Sequence, residues 1–509
     1  MAEYLLGLDA GNTVIKAVIF DRQGNEIAAA SAEGHSRMPC PGHVERGLDE
    51  LWANAGKVIR TCIEQAGVSP GDIVAVGCAG HGNGLYALDR EGRPLLGIQS
   101  LDTRAVGLVE EWQEKGVGDR TYPIGQQRPW PSQTPTLLAW LKRRQPETFA
   151  RIGTVFLCKD FIVNRLTGVR VSEVSDMTGC GLLHVVDRRY DYGLMEVYGL
   201  GDCMELLPPL IESSDIAGHV TAEAAALTGL AIGTPVVGGL FDVVASAIGS
   251  GVTRTGAASI IAGTWSINQV IVDTPRLDGP VFMSSTFDRK RYMAIESSAT
   301  SAANLEWLVR EFFSDVSLDG RSPFDLCGDL AAGIEPAGDD PLYHPFLYGA
   351  QQSGNARAGF YGVAGWHTKG HLVRAVLEGV AFGHRQHIET MRQAGAVFNE
   401  AVLSGGGSRS LIWPQIFADV LGLPVSIARS RETGALGAAI TAGTGIGVFA
   451  DFAAGAASMV RVERNYVPNG HLQSHYERRY GLYNDILTAM APIWRRLSSS
   501  LPSATGAAA

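Results

Sequence analysis

The chain has 509 residues, of which 46% are hydrophobic and 18% charged, with a formal net charge of −10. That length exceeds what one hydrophobic core serves, so two or more domains are expected, and the composition excludes a disordered chain. The acidic balance argues against broad binding to nucleic acid or an anionic membrane surface, while a local basic pocket for phosphate stays open.

The first element is an apolar strand, Tyr4–Leu8, that delivers one carboxylate, Asp9, at its end. A turn of small residues, Ala10-Gly11-Asn12-Thr13, leads directly into a second apolar run, Val14–Phe20. Because a strand resumes at once, the unit reads as a β-hairpin and not as the strand–turn–helix of a dinucleotide or P-loop site. The backbone N–H groups of Gly11, Asn12 and Thr13 can form an anion nest, with Asp9 placed to hold Mg²⁺. The alternative is an ordinary hairpin in which Asp9 caps the turn. No basic leader precedes the strand, so no signal peptide is read there.

A third strand, Glu26–Ala30, and a helix, Leu48–Ala66, come next, then a strand, Ile73–Gly77, that ends in Ala79-Gly80-His81-Gly82-Asn83-Gly84. Loops at the carboxyl ends of central strands are where open α/β sheets take ligands. His81 and Asn83 offer polar side chains there, or the segment is only a tight turn. Asp102 and Arg104 could grip hydroxyl groups from two sides, or Asp102 could cap a helix. Helices are expected at Thr136–Arg144 and toward Thr167, and Ser172–Gly181 reads as a polar loop.

The strand at Val236-Val237 runs through Gly238-Gly239 and Leu240-Phe241 to Asp242, and Val243–Ile248 continues as helix. Asp242 suits a helix N-cap, and a catalytic base could hold the same position. At a helix N-terminus its carboxylate is expected to stay ionised at neutral pH. Ala258–Val272 repeats the opening pattern, strand, Gly263-Thr264 turn and strand, which suggests a duplicated architecture with a second nest. A long amphipathic helix over Leu372–Met391 leads to the strand Ala401–Leu403, the turn Ser404–Arg409 and a helix Leu411–Leu421. A flat ring such as adenine could lie on those glycines. Glu432–Ala439 starts a helix of small residues suited to close packing, and Ser498–Ala509 is expected to fray. No apolar run reaches the roughly 18 residues of a membrane span. The seven cysteines form no C-x-x-C pair, which predicts reduced thiols in a cytoplasmic protein.

The residues from 358 to 378, Ala-Gly-Phe-Tyr-Gly-Val, then His371-Leu372, then Ala375-Val376-Leu377-Glu378, resemble the C-terminal signature of the FGGY carbohydrate kinases at every defined position. GGGSRSLIWPQIFADV at 405–420 and ETGALGAA at 432–439 are similar to that family as well. GGLFDVV at 238–244, the loop 81–84 and PFLYG at 345–349 look closest to its L-xylulose (3-keto-L-gulonate) kinase branch. The resemblance implies an α/β fold of two domains, the actin/hexokinase-like (ribonuclease H-like) fold with a cleft between its lobes. Its N-terminal kinase domain would span 1–246, its C-terminal domain 247–497 and a flexible tail 498–509. It implies ATP as co-substrate with Mg²⁺, Asp242 as catalytic base, and Asp9 as the magnesium-associated carboxylate. It implies Gly11, Asn12 and Thr13 as first phosphate loop, Gly263 and Thr264 as second, and Gly406, Gly407 and Arg409 at the adenosine. His81, Asn83 and Asp102 would line the sugar pocket. Two departures stand out: Leu137 replaces a family Lys, and Ala79–Gly84 lacks the Met and His of D-xylulose kinases, which argues against D-xylulose. The implied activity is phosphorylation of a terminal hydroxyl of a small ketose, L-xylulose or a related ketopentose or keto-sugar acid, with other pentuloses or polyols (D-ribulose, D-xylulose, erythritol, glycerol) as alternatives and a non-catalytic sensor as the rival class. A small-molecule sugar is the expected partner, with no nucleic acid or membrane, and a homodimer is possible.

Overall fold

The computed structural model describes residues 3–275, 279, 281–314, 320–350 and 355–499. Contacts group the chain into two compact units: Met1–Thr255 with Val270–Ile295 and Ser430–Arg461, and Gly256–Gln269 with Glu296–Arg429 and Val462–Ala509. A cut at 246/247 would give contiguous halves, whereas these units interleave. The reason lies in the helix Thr433–Gly445, which packs on strands from the start of the chain. The final helix runs Gln473–Ser499, and the expected frayed tail lies outside the described residues from 500 onward.

The first unit is built on a mixed sheet. Its strands are β1 (Tyr4–Ala10), β2 (Val14–Asp21), β3 (Glu26–Glu33), β4 (Ile73–Gly80), β5 (Ile216–His219), β6 (Pro235–Val237) and β7 (Leu240–Phe241). The order is β5-β6-β4-β1-β2-β3, with β7 also paired to β4. β1 and β2 form the expected antiparallel hairpin, in register from Tyr4↔Asp21 to Ala10↔Ile15. β1 and β7 both run parallel to β4, with Ala10 and Phe241 each opposite Gly80. Three carboxyl ends therefore finish at one edge of the sheet, and the residues that follow them are brought together. β1 and β2 alternate into a core that includes Leu6, Leu8, Ile15, Trp52 and Ile59.

Helix Thr433–Gly445 lies against β1 and β4 so closely that a Cβ on Gly7 or Gly77 would strike the carbonyls of Ala435 or Ala438. The small residues expected in that helix thus serve backbone-to-backbone packing.

The second unit repeats the arrangement. β8 (Gly256–Ala262) neighbours β9 (Ser266–Val272) and runs parallel to β10 (Phe398–Ser404), which runs parallel to β11 (Val425–Ala428). β12 (Val462–Tyr466) adds to β11 in antiparallel sense. Ile261 and Ser404 are opposite each other, so the loops after β8 and β10 emerge side by side.

Ser172–Gly181 is not a loop. It forms a short strand, Ser172–Glu173, and a buried helix, Val174–Gly179. Its polar side chains misled the sequence reading because they bond one another: the Glu173 carboxylate accepts from the Ser175 and Asp176 backbone amides, the Ser175 hydroxyl and the Ser213 hydroxyl.

Candidate active site

In the first unit, Asp9 sits near the end of β1, with Asn12 and Thr13 in the turn beyond it. Every carbonyl of that turn is tied back. Arg46 donates to Gly11 O (3.1 Å) and to Asn12 O, Gln99 Nε2 donates to Asn12 O (2.7 Å), and the Gly34 amide donates to Thr13 O (2.8 Å). The Asn12 side chain donates to Ser100 Oγ (2.8 Å). The Asn12 and Thr13 amides meet no acceptor among the described residues. With its carbonyls held away and these N–H groups left over, the turn has the polarity of an anion nest. Arg46 and Gln99, which create that polarity, were not singled out from the sequence; both are distant in the chain and nothing local marks them.

Asp9 keeps part of its surface open and rests against the start of helix Thr433–Gly445, where only a glycine at 434 leaves space for its carboxylate. Burial pushes its pKa up to about 6, with Lys16 opposing and Glu432 adding to the shift. Lys16 is itself paired with Glu432 at 2.7 Å.

Asp242 follows β7 and is the first residue of helix Asp242–Gly249; the N-cap position belongs to Phe241, so Asp242 does not cap the helix as expected. Its pKa is pushed up to about 8 by burial and then by the negative charge of Asp9, against a hydrogen bond from the Val243 backbone. The expectation of a carboxylate ionised by the helix dipole is corrected here: desolvation and a like charge outweigh the dipole's pull. Asp242 is a carboxyl whose proton is in play near neutrality. The backbone just before it is anchored, because the Phe241 amide donates to Ser175 Oγ (3.1 Å), whose own proton goes to Glu173 Oε2 (2.8 Å).

The loop after β4 carries His81 and Asn83, both almost wholly buried. His81 has one ring nitrogen 2.7 Å from the Tyr86 hydroxyl and the other 3.3 Å from Gly82 O. Burial, then Arg46, pulls its pKa down to about 3, so the ring is neutral. Asn83 takes a left-handed backbone (φ 62°) and donates to Gly179 O (3.3 Å), while its Oδ1 is buried with no partner. Asp102 is fully engaged: it accepts from the Val44 and Arg104 amides and from Arg104 Nε and Nη2. It caps no helix; it braces the segment from 44 to 46 that brings Arg46 to the first turn.

Behind these residues lies a cluster the sequence reading passed over. Lys159 Nζ is 2.5 Å from Asp160, 3.4 Å from Glu173 and 3.6 Å from Asp176, all of them buried. Neither oxygen of Asp176 has a hydrogen-bond partner, and burial holds its pKa well above the usual carboxylate range. A neutral acid there avoids the cost of a buried carboxylate that has no hydrogen-bond donor and shares Lys159 with two other carboxyl groups.

In the second unit the turn after β8 carries Gly263 and Thr264. Their carbonyls are also tied back, by the Ala302 amide (2.8 Å) and the Ser301 amide (3.1 Å), and the Thr264 amide has no acceptor among the described residues. Gly405 (φ 81°) and Gly407 pack on Ala262 with no space for a Cβ, which sets the turn Gly406–Arg409 beside the first. Arg409 is exposed, and its guanidinium has no partner among the described residues.

Two sheets of the same order, each ending in a turn with its carbonyls turned away, define a phosphotransferase of the actin/hexokinase-like class. Comparison with known proteins gives the family: residues 4–249 match the N-terminal domain, and residues 258–446 the C-terminal domain, of the FGGY family of carbohydrate kinases. The chain belongs to that family and is an ATP-dependent sugar kinase. It is 35% identical to the L-xylulose/3-keto-L-gulonate kinase of Escherichia coli (strain K12), over 98% of this chain and 99% of that one. It is 37% identical to a probable L-xylulose kinase of Pasteurella multocida (strain Pm70), over 96% and 99%. Among solved structures, a xylulose kinase from Rhodospirillum rubrum superposes with a TM-score of 0.88 at 27% identity, covering 97% of this chain and 100% of that one. No helix among the described residues is long and apolar enough to cross a membrane.

Proposed function

We propose that this kinase transfers the γ-phosphoryl group of ATP to a terminal hydroxyl of L-xylulose or a related ketopentose or keto-sugar acid, in the cytoplasm. The acceptor is put forward because two relatives of 35% and 37% identity carry L-xylulose kinase in their names. The observation that carries the chemistry is Asp242, a partly open carboxyl anchored at the head of a helix, with a pKa near 8. Phosphoryl transfer asks the protein mainly for positioning and charge. Only its ionised form accepts the hydroxyl proton, and a cation held at Asp9 would enlarge that fraction by offsetting the charge that helps to raise its pKa.

The free amides of Asn12, Thr13 and Thr264 are offered to phosphate oxygens, whereas the Gly11 and Gly263 amides are taken by the Val14 and Trp265 carbonyls; Gly406, Gly407 and Arg409 offer a flat face and a cation to the adenosine. Asp9 would hold Mg²⁺. Its raised pKa and the repulsion between it and Asp242 mark a place where a cation is electrostatically welcome. Among the described residues no cluster of three or more His, Cys, Asp or Glu could ligate a metal alone, so phosphate oxygens would complete the shell. When bound, the ion neutralises phosphate charge. On the sugar side Asn83 comes first, since its buried Oδ1 awaits a hydroxyl donor; His81 and Asp102, with their polar atoms engaged, shape the wall.

The test is a coupled assay of ADP release over L-xylulose, D-xylulose, D-ribulose, erythritol and glycerol. The highest kcat/KM is expected for L-xylulose. Preference for a polyol would replace the acceptor assignment, and ADP release that ignores added sugar would replace the kinase reading with a nucleotidase.

A further inference from the structure

The helix Lys369–Gln393 places one histidine, His384, in the interior of the second unit, wholly buried and edge-on to Phe417 (5.1 Å between rings, 72°). Its Nδ1 is 2.8 Å from Asn268 Oδ1 and 3.2 Å from Ser266 Oγ; its Nε2 is 2.9 Å from Ser301 Oγ. With the Asn268 amide placed so that its Nδ2 donates to Ser266 Oγ (3.3 Å), the Oδ1 that faces the ring can only accept. Nδ1 must therefore carry the hydrogen. Burial, with His387 adding to it, keeps the ring neutral, so Nε2 bears a lone pair and takes the Ser301 hydroxyl proton.

Both ends of this bridge reach the turn at Gly263–Thr264. Ser266 and Asn268 lie on β9 directly after it. Ser301 and Ala302 are the residues whose amides hold the Thr264 and Gly263 carbonyls. One helical turn further, His387 meets Ser298 Oγ (3.0 Å) and lies 3.4 Å from Glu296, so the same helix braces the segment leading into Ser301. A turn whose amides are to face an anion must have its carbonyls kept from rotating in, and here that constraint runs through one imidazole.

We propose that His384 is a positioning residue for the nucleotide: as the Nδ1–H tautomer it locks Ser301 and β9 together, and so holds the Gly263–Thr264 carbonyls away from the phosphates. The proposal rests on the reading of that turn as a phosphate loop, and the experiment separates the two.

Four variants of the full-length protein are compared: His384→Phe, His384→Asn, His384→Gln and Ser301→Ala. Phe keeps the ring packing and loses both bonds. Asn reproduces the Nδ1 donor and loses the link to Ser301. Gln can place its Oε1 where Nε2 accepted and turn its amide N–H toward Asn268 Oδ1, keeping both ends of the bridge. Measured by calorimetry, the Kd for ADP should rise about tenfold in Phe, Asn and Ser301→Ala, the ratio that loss of one buried hydrogen bond gives. Gln should stay close to the parent. KM for ATP should follow that order, with KM for the sugar unchanged. Should His384→Phe fail to fold, Ser301→Ala removes the same bond at little change in volume.

ADP affinity unchanged in Ser301→Ala and Asn, or sugar KM and melting temperature moving in step with nucleotide affinity in every variant, overturns the assignment to His384. A parent protein that binds no ADP overturns instead the phosphate-loop reading beneath it.

Discussion

The turns after β1 and after β8 solve one problem with different parts. In each, peptide carbonyls are held away and at least one amide is left without an acceptor among the described residues. In the first, side chains share the task with backbone: the Arg46 guanidinium and the Gln99 amide reach Gly11 and Asn12 from remote segments, while the Gly34 amide holds the Thr13 carbonyl. In the second, backbone amides at the head of helix Ala303–Phe312 do it, steadied by the neutral His384. The first turn is preceded by a carboxylate, Asp9, and the second by Ala262, on which two glycines pack. A buried cation beside the first turn adds positive potential where a carboxylate would otherwise repel phosphate. The second lacks that carboxylate and needs only rigidity. Duplication of the strand order thus preserved the backbone solution while the supporting chemistry diverged.

That contrast can be broken at several points. The largest effect should come from Asp242→Asn, which removes the proposed proton acceptor while leaving both turns intact. Turnover should fall by about 10²–10⁴, the usual worth of general base catalysis, with ADP affinity kept; a variant with near-normal turnover would defeat the mechanism.

Next is Gly434→Ala. The new methyl group meets the end of the Asp9 side chain, which can swing aside. The melting temperature should barely move, yet displacing the carboxylate by about 1 Å should cost up to about a hundredfold in kcat. Rates that stay at the parent level would show that Asp9 does not need its position.

Arg46→Gln tests the first turn as Ser301→Ala tests the second. It takes donors from carbonyls of a half-buried turn, at about 0.5–1.5 kcal/mol in denaturant stability. ATP affinity should drop more steeply at low salt, since charge as well as shape is lost; equal salt dependence in Arg46→Gln and Ser301→Ala would erase the distinction drawn between the turns.

The smallest effect concerns pH. A carboxyl whose folded pKa is raised from 3.8 to about 8 binds a proton in the folded state that the unfolded chain has already released. Its ionisation therefore erodes stability progressively as pH rises through that window. Asp242→Asn should match the parent near pH 4 and gain a few degrees of melting temperature above pH 8. A constant difference at every pH would mean that the carboxyl titrates normally.

The sequence signatures divide by what they do in the fold. The most specific of them, residues 358–378, ends in Glu378. That carboxylate takes Arg374 Nε at 2.8 Å and the Tyr476 hydroxyl at 3.0 Å, and Arg374 in turn ties down the Ala331 and Ile334 carbonyls. The segment that identifies the family is therefore a packing joint. His81 and Asp102, legible as polar residues in promising loops, proved to have their polar atoms engaged by Tyr86 and Arg104. Glu173, hidden in a stretch that reads as a polar loop, anchors the backbone ahead of Asp242.

What the chain alone determined is local and periodic: the hairpins, the long helices, the glycine turns at strand ends and Asp242 at the head of a helix, all written in residues adjacent in sequence. Only the tertiary structure decided which atoms were already spent on one another and which were left over. It also decided that a carboxyl at a helix head would hold its proton to about pH 8. Hydrogen-bond partners and desolvation are set by residues dozens to hundreds of positions away, and their energies depend on distance and burial, which no spacing along the chain encodes.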